Sequence, residues 1–83
     1  MSKSEKQLQR LLTIPKNFSW DELVAVMAHF NFEMRKTSGS SRKFVHKTKG
    51  TSFSIHAPHP SNIMKAYALR GAINALKQAG EIE

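Results

Sequence analysis

Three histidines, His46, His56 and His59, stand among Arg42, Lys43, Lys47 and Lys49. Cleaving an RNA phosphodiester without a metal needs a base for the 2′-hydroxyl, an acid for the leaving 5′-oxygen and cations around the phosphorane. Histidine and Lys or Arg supply those groups near neutral pH. The three histidines are not equivalent. His56 falls on the polar parity of a short alternating segment and is the preferred general base. His46 shares parity with Phe44, so a packed, hydrogen-bonded role competes with a catalytic one. His59, between Pro58 and Pro60, positions a loop, caps a helix or contacts a partner. His56-x-x-His59 offers two metal ligands where a zinc site needs three or four, so no metal is expected. No phosphate-cradling glycine fingerprint or other cofactor signature is present, and no cofactor is expected.

The stretch that must position these groups is Thr37–Lys47, a small polar turn running into a strand of alternating basic and apolar residues. Gly39 can take positive φ, the flanking serines can hydrogen-bond their own backbone, and Arg42, Lys43 and Lys47 project a donor-rich edge suited to phosphate. The RNA-contacting set is therefore Ser40, Ser41, Arg42, Lys43, Lys47 and Lys49. No Asp or Glu occurs between Met34 and Gly80. A solubilising lysine surface would spread its charge, whereas this asymmetry points to a binding face.

With 13 Lys+Arg against 6 Asp+Glu and a net charge of +7, the 83-residue chain favours polyanionic partners, nucleic acid first. Its length suits one domain, 1–83, comprising an accessory helix at 4–12 and a core at 19–80. The absence of cysteine rules out disulfides and thiolate metal ligation and fits a reducing compartment. Neither a signal peptide nor an apolar run of about 18 residues is found, so the expected location is cytoplasmic, with no membrane partner.

Along the chain, residues 4–12 read as a short amphipathic helix with Ser4 near its cap. Ser19-Trp20-Asp21-Glu22 is a capping box for a helix from about Trp20 to Phe30. Leu23, Val24, Met27 and Phe30 form its apolar stripe, and Phe18 with Leu23 a hydrophobic staple. Three strands follow, at 32–35, 42–47 and 51–56, the last two joined as a hairpin through Lys47–Gly50, with Gly50 in the left-handed region. In the third, Phe53 and Ile55 face the core while Ser52, Ser54 and His56 face away. Pro58 and Pro60 end the sheet. Ser61 is a candidate cap for a final helix from Ile63 or Lys65 to Ala79, with Leu69, Ala72, Ile73 and Leu76 recurring and Gly80 as the αL stop. Its alanines imply close approach to the other helix. Trp20 and Tyr67 could stack on bases, but packing within their helical segments explains them more simply. Met27, Met34 and Met64 read as core fillers. The fold class is α+β: αβββα, an antiparallel three-stranded sheet with two helices on one face, the architecture of double-stranded RNA-binding domains.

Several residues together resemble the HicA-type toxins of type II toxin–antitoxin systems, over about Ser19 to Gly80. They are Phe30-Asn31-Phe32 (commonly G-F or G-W in the family), Gly39-Ser40-Ser41-Arg42-Lys43-Phe44 with His46, His59-Pro60, and Leu69-Arg70 leading to Gln78-Ala79-Gly80. The resemblance implies a double-stranded-RNA-binding-like fold, ribonuclease activity on mRNA and neutralisation by a HicB-type antitoxin. Family members typically read G-S-H where this chain has Gly39-Ser40-Ser41, so Ser41 occupies the usual catalytic histidine position. An ordinary serine hydroxyl does not take a proton at neutral pH, and the general-base role does not carry over to it.

The expected function is an RNA-binding toxin component acting as a metal-independent mRNA endoribonuclease. Two alternatives remain: a noncatalytic RNA-binding module of the same fold, and a protein-interaction partner without ribonuclease activity. The charge pattern supplies the sign of the antitoxin surface, an acidic one covering the 39–47 edge; only the resemblance supplies its type.

Overall fold

The structure, a computed structural model, describes residues 3–58 and 61–82. Its elements run α1 (Lys3–Leu12), α2 (Trp20–His29), β1 (Phe32–Lys36), β2 (Ser41–His46), β3 (Ser52–His56) and α3 (Ala66–Gln78). The three strands form one antiparallel sheet in the order β1-β2-β3. The α+β class and the αβββα order expected from the sequence are both present, with α1 added in front.

Residues close in sequence explain how α2 starts. Ser19 Oγ accepts the Glu22 N–H at 3.1 Å, and Glu22 Oε1 accepts the Ser19 N–H at 3.2 Å, completing the capping box. Phe18 and Leu23, the staple residues, are both fully buried. The helix stops at His29, after which Asn31 adopts φ +69°, a left-handed conformation that asparagine tolerates better than most residues.

Pleating divides the sheet cleanly. Phe32, Phe44, His46 and Ile55 are buried beneath the helices, whereas Lys43, Ser52, Ser54 and His56 are exposed on the opposite parity. Phe44 stacks on Phe53 at 5.2 Å and meets Trp20 at 5.8 Å, so Trp20 serves packing as expected. Met27 and Met64 fill the core; Met34, on edge strand β1, is 41% exposed and does not.

Three expectations about the helices need correction. Ser4 lies inside α1, which begins at Lys3, so it is not a cap. The helix also packs against the core. Leu8 and Leu11 are buried, Arg10 pairs with Glu22 of the capping box, and its guanidinium lies 5.1 Å from the Phe18 ring centre. Ser61 does not cap α3, which starts at Ala66 with Lys65 in the N-cap position. The reason is that residues 62–64 are extended and tied to the start of α2. Trp20 N–H donates to Asn62 O and Met64 N–H to Phe18 O, both at 2.7 Å, around a Ser19–Ile63 bridge. Finally, the alanine face of α3 (Ala68, Ala72, Ala75) is buried where the helix packs on β3 and α1, so close approach serves the sheet and α1 rather than α2.

Candidate functional site

Gly39 takes φ +52° at the tip of the β1–β2 turn, and Ser41 N–H donates back to Ser38 O at 2.8 Å. This turn delivers Ser40 and Ser41 to the start of β2. Antiparallel register then sets Ser41 directly opposite His56, and Ala57 N–H donates to Ser40 O at 2.8 Å. His56, the last residue of β3, is exposed, and its Nδ1 lies 3.4 Å from Ser40 Oγ. With hydrogen on Nδ1 the ring donates to that hydroxyl and its Nε2 lone pair stays open to a substrate proton. The position where the resemblance expects a histidine is thus the cross-strand partner of one.

His56 and Ser40 border a cleft of about 360 Å³ between the end of β3 and the first turn of α3. Ala57, Pro58, Ser61, Ile63, Met64, Lys65, Tyr67 and Ala68 complete it. Sequence reasoning did not single out Lys65, and it ranked base stacking by Tyr67 below packing, whereas Tyr67 is 67% exposed. A signal was available, because Tyr67 lies off the Leu69, Ala72, Ile73 and Leu76 stripe.

The structure separates the other expected residues. Ser40, Ser41 and Arg42 sit at the cleft end of β2, whereas Lys47 and Lys49 lie in the hairpin turn beyond its far end. At about 3.3 Å per residue the two groups are roughly 15–20 Å apart. Lys47 belongs to that turn and not to the strand. Arg42 and Lys43 point to opposite faces as parity requires. Arg42 folds one nitrogen onto the Gly39 and Ser41 carbonyls, at 2.8 and 3.0 Å, bracing the turn it follows. Lys43 is exposed on the face that carries His56.

His46 does not join the site. It lies at the other end of β2, 3% exposed and beneath the helices, edge-on to Phe32 at 5.0 Å. Its Nδ1 accepts the backbone N–H groups of Thr48 and Lys49, at 3.3 and 3.1 Å. That assigns the proton to Nε2, which donates to Glu81 Oε2 at 2.7 Å. With both nitrogens committed, His46 is structural, and strand pairing does not bring it near the 37–43 turn. The His46 N–H holds the Glu81 carboxyl below its usual range against the opposing effect of burial, helped by Asn31 Nδ2 at 3.2 Å. Gly80, at φ +76°, makes this contact possible. Its N–H bonds Lys77 O and the Glu81 N–H bonds Leu76 O, a Schellman cap that turns Glu81 back toward the sheet.

His59, the remaining candidate, lies outside the described residues. Among those described, no three of His, Cys, Asp and Glu cluster as metal ligands would. No described helix is long and apolar enough to cross a membrane.

No curated protein and no solved structure matches the chain. A protein-family model does match, that of the HicA toxin of bacterial toxin–antitoxin systems, over residues 20–81. The matched span contains α2, all three strands, α3 and the Gly80–Glu81 turn that fastens them, and on that match the chain belongs to the HicA toxin family.

Proposed function

We propose that this HicA toxin is a metal-independent mRNA endoribonuclease whose general base is His56, working at the β2–β3 edge in place of the histidine usual at position 41. The observation that carries the reading is the Ser41–His56 register pair, with Ser40 Oγ against His56 Nδ1. His56 Nε2 takes the proton of a 2′-hydroxyl, O2′ bonds to phosphorus, the P–O5′ bond breaks, and the 5′-oxygen leaves with a proton from solvent. The products are a 2′,3′-cyclic phosphate and a 5′-hydroxyl. Lys43, exposed on the face that carries His56, and Lys65, which lines the cleft, are the cations available for the developing phosphorane charge.

Membership of the family implies a cognate antitoxin. We take it to be HicB-type, with carboxylates facing Arg42, Lys43 and Lys47, so that charge complementarity speeds association and excludes RNA together. Because Lys47 stands at the far end of β2, such an antitoxin must span the whole strand.

The test is induction of the soluble chain in a bacterial host with sequencing of RNA ends, beside His56→Ala. Growth arrest and new ends that vanish in the variant support the reading; normal growth and unchanged ends count against it. One observation favours a second reading, a noncatalytic RNA-binding module: Ser41 itself carries no base. RNA binding by wild type without cleavage, persisting in His56→Ala, is its signature.

A further inference from the structure

We infer that the cleft between β3 and α3 is a subsite for an unpaired nucleotide, with Tyr67 stacking on its base and Lys65 contacting an adjoining phosphate. The identity of the ligand as RNA rests on the function proposed above; the subsite itself rests on the following geometry. Tyr67 sits in the first turn of α3, off its apolar stripe, and is 67% exposed. Its ring makes no aromatic contact and its hydroxyl no hydrogen bond among the described residues. A tyrosine left this open is a large, stiff platform with no packing duty.

The cleft supplies what a base needs beside that platform. Its volume, about 360 Å³, lies at the small end of the range for ligand sites. Ile63 and Met64 provide apolar contact, and Ser40 and His56 provide hydrogen-bonding groups at the edge. Lys65 makes no ion pair among the described residues, and the sequence has no acid between Met34 and Gly80 to compete for it. A base reaches an aromatic platform only when unstacked from its own strand, so the subsite selects single-stranded or looped RNA over duplex. The architecture shared with double-stranded RNA binders therefore carries a site of the opposite preference.

Fluorescence anisotropy tests this with a 2′-O-methyl oligonucleotide, which cannot be cleaved, presented single-stranded and as a hairpin stem. Tyr67→Ala is expected to weaken single-strand binding by about five- to a hundredfold and leave stem binding unchanged, while Tyr67→Phe stays close to wild type. Lys65→Ala is expected to reduce the salt dependence of single-strand binding by about one unit of slope. Equal affinity of wild type and Tyr67→Ala, equal losses on both RNA forms, or wild type that binds no single-stranded RNA each overturns the subsite. Circular dichroism confirms that the exposed substitutions leave the fold intact. The two proposals fail separately: absent cleavage with a Tyr67-dependent single-strand preference removes the nuclease and keeps the subsite. Cleavage with Tyr67-independent binding does the reverse.

Discussion

His46 and His56 sit on neighbouring strands, at opposite ends of the β2–β3 ladder and on opposite faces of one sheet. The first is buried, with Nδ1 accepting two backbone N–H groups and Nε2 donating to Glu81. The second is exposed, with one nitrogen loosely beside Ser40 and the other without a partner among the described residues. The same side chain is a fastening in one place and, in the proposed function, a reagent in the other. Pleat parity and position along the strand make the difference, because they decide whether the protein or the solvent supplies the ring's partners.

Removing each ring in turn separates the two roles. His56→Ala is expected to lower the rate of RNA cleavage by about 10²- to 10⁴-fold while leaving the urea midpoint in place. A variant that keeps its rate would return the base to another residue. His46→Ala should do the opposite, costing about 2–4 kcal/mol because it strands the Thr48 and Lys49 N–H groups and the Glu81 carboxylate. If His46→Ala unfolds at the wild-type midpoint but no longer cleaves, the roles assigned here are reversed.

Acid sharpens the contrast further. The folded-state pKa of Glu81 lies below its ordinary value of 4.5, so its contribution is fully present above that value and is lost as pH falls through the folded pKa. Glu81→Gln is expected to cost about 1 kcal/mol at pH 7 and to flatten the acid side of the stability curve. An acid limb identical to wild type would assign it to other carboxylates. The smallest effect concerns the strand between the two rings. Lys43→Ala should reduce the salt slope of RNA binding by about one unit and leave stability unchanged, whereas Arg42→Ala should also loosen the turn it braces. Equal stability of the two variants would show that the Arg42 contacts to Gly39 and Ser41 carry no weight.

What could be read in the sequence follows the distance over which each interaction acts. The Ser19–Glu22 capping box spans three residues, and the left-handed turns at Gly39, Gly50 and Gly80 are set by one residue each, so all were legible. Parity within β3 correctly turned Ile55 inward and His56 outward. The start of α3 was misplaced because Asn62 and Met64 are held by Trp20 and Phe18, some forty residues earlier. Arg10 and Glu22 lie on different helices, and the amphipathic pattern of α1 placed Leu8 and Leu11 on one face without saying what that face would meet. The cleft was legible only at Ser40 and His56. The apolar stripe of α3 set Tyr67 off the core, but only the packing of α3 on β3 brings it and Lys65 to the cleft, which periodicity does not encode.

The Asn31–Glu81 and His46–Glu81 hydrogen bonds join residues 50 and 35 positions apart, far more than the capping box or the β2–β3 hairpin requires. Contacts of such separation close large loops and tend to form after the local ones, on the native side of the rate-limiting barrier. The Gly80–Glu81 turn then acts as a latch on escape more than as a guide to assembly. It governs how long a folded molecule survives, and its loss speeds unfolding with little change in the refolding rate. In a denaturant chevron, Glu81→Gln should raise only the unfolding arm; a depressed folding arm would place the latch inside the nucleus.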